Sequence, residues 1–260
     1  MTRTLRTVGF VLALVALPAL ATAQINFEKT SYYVAMGDSV AAGEGALPVT
    51  NGYVYRLYDQ GVFAKKQEMD FSSIGLRGAR TWELWSQVSQ VLCAGPRPTV
   101  VTITAGANDF LGGDLDIPAI AGRVAAAVRL LLNNDNPAVV PSPIEDPVTG
   151  EACPALSNVT ILVSNYYSMP HPVPAINAQF DEALKGFDQA LRLFLAQVPV
   201  PPGSRIVYVD LYTPSLGRQG LVTIERRLGY TGPFDFDIHP TNLGHAFIAQ
   251  QFELAWKNAQ

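Results

Sequence analysis

Three short clusters in this sequence combine the side chains that acyl-transfer chemistry needs, each where a loop is expected to begin. The first is Gly37-Asp38-Ser39-Val40-Ala41-Ala42-Gly43. A serine at a strand-to-loop turn, flanked by small residues, has an accessible hydroxyl and backbone N–H groups nearby, which suits a nucleophile. Taken alone, the cluster is equally an ordinary Gly-Asp turn with a helix cap. The second is Gly106-Ala107-Asn108-Asp109. Here the Asn108 amide can donate to a developing oxyanion, or simply end a strand in an Asx-turn. The third, Asp235-Phe236-Asp237-Ile238-His239-Pro240-Thr241-Asn242, offers a general base with a carboxylate close by to fix its tautomer. Only three histidines exist in the chain. His171 lies between prolines with no acid beside it, and His245 falls where a final helix is expected. The base for a serine nucleophile is therefore assigned to His239.

A framework must hold these clusters, and the hydropathy pattern supplies one. Apolar, largely β-branched or aromatic runs at 32–36, 71–75, 99–104, 159–164 and 205–210 predict five strands. Their continuous apolar character suits a parallel sheet covered on both faces. Between them, Ile176, Phe180, Leu184, Phe187, Leu191, Phe194 and Val198 recur every three or four positions until Pro199, one core-facing helical stripe. Ile120, Val124, Val128 and Leu131 predict a second helix over 117–132, and further helices are expected at 81–91 and 245–257. The Pro-, Asp- and Asn-rich stretch 133–157 reads as a surface insertion and a candidate to shape the cleft. The pattern predicts an α/β fold: a three-layer α/β/α sandwich around a parallel five-stranded sheet, wound as a single domain over 24–260. In such sheets functional residues collect beyond the carboxyl ends of the strands, where the first two clusters fall.

Composition narrows the function class. With 18 Lys+Arg against 22 Asp+Glu, the net charge is −4, and no basic run suggests nucleic acid or an anionic membrane as a partner. Hydrophobic residues make up 48% and charged ones 15%, enough apolar surface to offset the entropy of folding. Arg3 and Arg6 precede an uncharged apolar run from Val8 to Leu20, and Ala21-Thr22-Ala23 follows. That order predicts a secretory signal over 1–23, cleaved before Gln24. The run is too short for a membrane anchor, so export to the periplasm or beyond the cell is expected. Two cysteines exclude both a disulfide scaffold and a cysteine-rich zinc fold; in an oxidising compartment Cys93 and Cys153 are expected to pair, two buried, inert thiols being the alternative.

Taken together and in order, GDSVAAG at 37–43, SIGLRGA at 73–79, GAND at 106–109 and DIHP at 237–240 resemble the GDSL or SGNH hydrolase family. The resemblance spans nearly the whole mature chain. It implies a flavodoxin-like α/β/α fold and hydrolysis of carboxylic esters or thioesters, with no cofactor and no metal. Residue by residue, it implies Ser39 as nucleophile and His239 as base. The N–H groups of Ser39 and Gly78 and the amide of Asn108 would form the oxyanion hole. The family usually places its acid three residues before the histidine, and that position is Phe236 here. Asp237, two before, is the assigned acid. Asp235, four before, or a backbone carbonyl orienting the ring are the alternatives.

Two other function classes share these residues. A secreted binding protein on the same fold would keep the core and lack an activated serine. A metal-dependent hydrolase would use Asp235, Asp237 and His239. Within the esterase reading the substrate is a small-molecule or lipid ester, and the apolar composition favours lipidic or aryl esters. Tyr53, Tyr55, Tyr58, Tyr166 and Tyr167 are candidates to line its pocket.

Overall fold

All five expected strands form, and they build one parallel sheet in the order β2-β1-β3-β4-β5. The strands are β1 (Ser31–Gly37), β2 (Met69–Ser73), β3 (Val100–Thr104), β4 (Thr160–Ser164) and β5 (Arg205–Val209). The structure is a computed structural model describing residues 31–93, 96–171, 173–223, 225–226 and 236–260. The signal expected at 1–23 and the alternative acid Asp235 lie outside the described residues. β3 and β4 are buried at every position, as central strands covered on both faces must be. β2 starts two residues earlier than its apolar run suggests, because an edge strand buries one side only and tolerates the exposed Asp70.

Helices cover both faces. The helices α2 (Leu84–Cys93), α4 (Ile117–Asn133) and α5 (Pro174–Leu195) pack together on one side. On the other, α1 (Tyr53–Asp59) packs against α7 (Asn242–Asn258), which also lies on β5. The short helices α3 (Ala107–Leu111) and α6 (Tyr212–Ser215) follow β3 and β5, and β6 (Glu225–Arg226) pairs antiparallel with β7 (Phe236–Asp237). Along α5 the predicted stripe buries Phe180, Leu184, Phe187 and Leu191, each contributing about 1.5–3 kcal/mol relative to exposure. Asp116 caps α4 by accepting from Ala119 N–H at 3.0 Å. No strong periodicity announces α1. It forms because Tyr53, Val54 and Leu57 bury their side chains, with Tyr53 stacked on Phe252 of α7 at 5.1 Å.

From β1 the chain steps to β2 on one side, and from β3 it steps through β4 to β5 on the other. The order therefore reverses between β1 and β3, and a crevice opens at their carboxyl ends. The 133–157 segment joins the end of α4 to the start of β4, which puts it on the opposite, amino-terminal edge. It is ordered there by the buried Asn134. That amide donates to the carbonyls of Ile144 and Cys153 at 2.8 and 2.7 Å, and accepts from Ile144 N–H at 2.7 Å. A Cys93–Cys153 disulfide, spanning 60 residues, staples the segment to the end of α2. The insertion thus braces the far edge of the sheet, not the cleft. Replacing both cysteines with serine is expected to lower stability by about 2–4 kcal/mol, read as the midpoint of denaturant unfolding. Reactivity at Ser39 should be unchanged.

Candidate active site

Close backbone approach comes first. At the carboxyl ends of β1 and β3, Gly37 lies opposite Thr104. Gly37 has φ +131°, and a Cβ there would sit 2.0 Å from the Thr104 carbonyl oxygen, so only glycine fits. The buried amide of Gln87, from α2, clasps this residue. It accepts from Gly37 N–H at 2.6 Å and donates to Gly37 C=O at 2.8 Å. Asp38 N–H then donates to Thr104 C=O at 3.0 Å, and the chain turns. Ser39 sits on that turn, its carbonyl accepting from Glu44 N–H at 2.8 Å.

The turn itself is held by Asp38, which is buried. One carboxylate oxygen accepts from Val40 N–H at 2.9 Å and the other from the Tyr166 hydroxyl. Burial pushes the Asp38 carboxyl up to about 7, against the lowering effect of both hydrogen bonds. Asp38 therefore supports the turn and does not face His239.

His239 arrives from the other end of the chain. Its Nε2 lies 2.9 Å from Ser39 Oγ, and its Nδ1 lies 2.6 Å from Asp237 Oδ1. Asp237 Oδ1 also accepts the backbone N–H of His239 at 3.1 Å. Of the acids considered from sequence, Asp237 is the one in contact among the described residues. A carboxylate at Nδ1 holds the proton there and leaves the Nε2 lone pair for the serine hydroxyl. The backbone around the ring is fixed from three sides. Ile238 C=O accepts from the Tyr167 hydroxyl at 3.1 Å, and His239 C=O accepts from Thr223 N–H at 3.1 Å. Thr241 caps α7 through Gly244 N–H at 3.1 Å.

The remaining expected residues sit beside this relay. Leu76 N–H donates to Gly37 C=O at 3.0 Å, and Ser73 Oγ donates to Ala41 C=O at 3.1 Å, so the 73–79 loop lies along the Ser39 turn. Asn108 Nδ2 donates to Ala79 C=O at 2.9 Å, which joins the third cluster to the same loop and leaves a second amide hydrogen. Gly106 enters α3 with φ +126°, and a Cβ there would strike the Phe187 ring at 3.0 Å. Among the described residues, the N–H groups of Ser39 and Gly78 donate no hydrogen bond. Unengaged backbone donors are what a developing oxyanion requires. No group of three or more His, Cys, Asp or Glu among the described residues is arranged to hold a metal ion.

The other two histidines have structural partners. His245 is buried; its Nδ1 accepts from Tyr53 N–H at 3.2 Å, and Nε2 donates to Glu44 C=O at 2.8 Å. Burial pushes it down to about 4. His171 Nδ1 accepts from Val173 N–H at 3.0 Å. The five tyrosines considered as pocket lining all have packing partners among the described residues. Tyr53, Tyr166 and Tyr167 are buried supports, while Tyr55 and Tyr58 pack on Phe71. Gln87, Tyr166 and Tyr167 were not identifiable as site supports from sequence, since each acts on a residue distant along the chain.

Asp38 and His245 give stability opposing pH slopes. Asp38 is raised on folding, so its contribution is full below about pH 3.8 and is lost as pH rises through about 7. His245 is lowered, so its contribution is full above about 6.5 and is lost as pH falls through about 4. Asp38→Asn removes the first slope only. On acidification from pH 7 to pH 4 the variant should lose more stability than the parent, measured by thermal midpoints at both pH values.

Solved structures share this arrangement of strands and helices. One is a lipolytic protein of the G-D-S-L family from Veillonella parvula DSM 2008, at TM-score 0.52 and 14% identity, covering 87% of this chain and 98% of that one. Another is a carbohydrate acetylesterase family member from Sinorhizobium meliloti, at TM-score 0.54 and 14% identity, covering 88% and 98%. A third is the psychrotrophic esterase EstA from Pseudoalteromonas sp., at TM-score 0.51 and 16% identity, covering 88% and 97%. No curated protein matches by sequence. At such identities the likeness establishes the fold alone. Kinship comes from the sequence: the profile of the GDSL-like lipase/acylhydrolase family matches residues 35–247, a span containing all four blocks, and the chain belongs to that family.

Proposed function

We propose that this chain is an exported serine esterase that cleaves carboxylic esters through an acyl-enzyme on Ser39. The observation that carries the reading is the continuous relay Ser39 Oγ–His239 Nε2, His239 Nδ1–Asp237 Oδ1, at 2.9 and 2.6 Å, beside unengaged backbone donors. Ser39 Oγ attacks the ester carbonyl while His239 Nε2 takes its proton. Asp237 stabilises the imidazolium that forms. Charge on the carbonyl oxygen is met by Ser39 N–H, Gly78 N–H and the Asn108 amide, each typically worth about 3 kcal/mol at the barrier. The tetrahedral intermediate collapses, His239 returns the proton to the departing alcohol, and the acyl group remains on Ser39. Water, deprotonated by His239, then attacks the acyl-enzyme; the acyl–Oγ bond breaks, His239 returns the proton to Ser39 Oγ, and the carboxylic acid is released.

Export is supported by the arginine-flanked apolar leader over 1–23 and by the Cys93–Cys153 disulfide, a bond suited to oxidising compartments. No helix among the described residues is long and apolar enough to cross a membrane. The substrate is a small-molecule or lipid ester, and no metal or cofactor takes part in the steps above.

Purified protein should hydrolyse p-nitrophenyl esters from a series running from acetate to palmitate, with chelator present. Ser39→Ala and His239→Ala should each lower kcat by roughly 10⁵–10⁶-fold, and Asp237→Asn by about 10⁴-fold, with thermal midpoints little changed. A fluorophosphonate should label Ser39 in the parent. Full turnover by Ser39→Ala would overturn the mechanism. A folded protein with neither turnover nor labelling would be a binding protein on this fold.

A further inference from the structure

One guanidinium lies behind both outer oxyanion elements. Asp109, the last residue of the third block, is fully buried. Its carboxylate accepts from Thr81 N–H at 2.9 Å and from Thr81 Oγ1 at 2.7 Å. Thr81 stands three residues after Gly78 and two after Ala79, whose carbonyl accepts from Asn108. The Asp109–Thr81 contact therefore locks the Gly78 loop to the start of α3. Arg123, on α4, closes this lock. Its Nε donates to Thr81 Oγ1 at 2.6 Å, and its Nη2 donates to Asp109 Oδ1 at 3.1 Å and to Asp114 Oδ2 at 2.7 Å.

We propose that Arg123, which belongs to none of the four blocks, is a positioning residue that sets the Gly78 N–H and the Asn108 amide through Thr81 and Asp109. The proposal rests on the esterase reading for its effect on turnover. Three features of the contact support it. Asp109 is a buried carboxylate, and a buried carboxylate is held in place by a paired cation. Arg123 supplies the one ion pair to Asp109 among the described residues. Its planar fork reaches a hydroxyl and two carboxylates at once, which a lysine ammonium on a flexible stem cannot reproduce. The Trp82 ring lies 6.0 Å from the guanidinium and also carries Arg80 at 5.0 Å, so an aromatic cover sits over the lock. Removing the guanidinium leaves Asp109 buried without its cation, and the loop carrying Gly78 is the part free to shift. Oxyanion donors act only within a few tenths of an ångström of their target, and misplacement by about 1 Å costs roughly 10²-fold in rate.

The test uses the full protein as parent, Arg123→Met, Arg123→Lys and the double variant Arg123→Met/Thr81→Val. In Arg123→Met, kcat on a p-nitrophenyl ester should fall roughly ten- to hundredfold, with KM within about twofold. The rate of fluorophosphonate labelling at Ser39 should fall in parallel. Arg123→Lys should lie between parent and Met. The double variant should be little worse than Arg123→Met, because both changes cut one linkage. Amide hydrogen exchange, which needs no activity, should quicken at 76–83 and 105–112 in Arg123→Met while the strands stay protected. Unchanged exchange in both segments, or a lowered thermal midpoint with kcat preserved, would overturn the proposal. A loss confined to KM, or fully additive effects in the double variant, would also overturn it. If the parent itself neither turns over esters nor labels, the esterase reading fails, and the exchange result alone decides whether Arg123 positions the two loops.

Discussion

The close approach of Gly37 to Thr104 is the constraint from which the rest of the site follows. Two parallel strands part company at this point, one leading to each half of the sheet. The space between their ends is set by how near the two backbones come. With 2.0 Å between a hypothetical Cβ and the Thr104 oxygen, the ends meet at backbone contact distance. Ser39 leaves one side of this junction two residues on, and Gly106 opens the other side two residues on. The distance between the candidate nucleophile and the third block is thus inherited from strand pairing, not from loop chemistry. Gln87 reinforces it by bonding both backbone groups of Gly37, as a neighbouring strand would.

Three carboxylates near the junction illustrate how surroundings divide labour among identical groups. Asp38 is buried against a phenol and a backbone N–H, and its raised pKa marks a group holding a turn. Asp109 is buried as deeply, but it has a guanidinium partner and joins two loops. Asp237 remains partly exposed and faces an imidazole nitrogen. All three lie inside motif blocks, at 37–43, 106–109 and 237–240. Only the partners separate their roles.

What could be read in the sequence was governed by distance along the chain. Ser39 is legible through the ordered blocks that resemble the GDSL family, and His239 because the other two histidines can be set aside. Asp237 followed from a two-residue spacing, which an extended segment turns into a shared face. The strands were legible because a doubly covered sheet writes itself as continuous apolar runs, and β2 was misplaced because an edge strand does not. Helix α1 was invisible because its short length carries no cap signal, and tertiary burial of Tyr53 and Leu57 makes it. Gln87, Tyr166 and Arg123 were equally hidden. A glutamine or arginine on a helix usually signals a solvated face, and only packing aims it inward. The 133–157 segment was seen as an insertion, but composition says nothing about which edge of a sheet a loop will occupy.

The Ser39–His239 contact joins residues 200 positions apart. The intervening chain supplies β2 to β5 and, among the described residues, the six helices α1 to α6, and His239 is held by the entry to α7. No partly folded species that lacks a docked final helix can bring the imidazole to the serine. A probe of the Ser39–His239 contact therefore counts completed molecules, whereas circular dichroism would score an almost finished chain as folded. The contact is in this sense a check on assembly: it forms only once β1 and α7 have met.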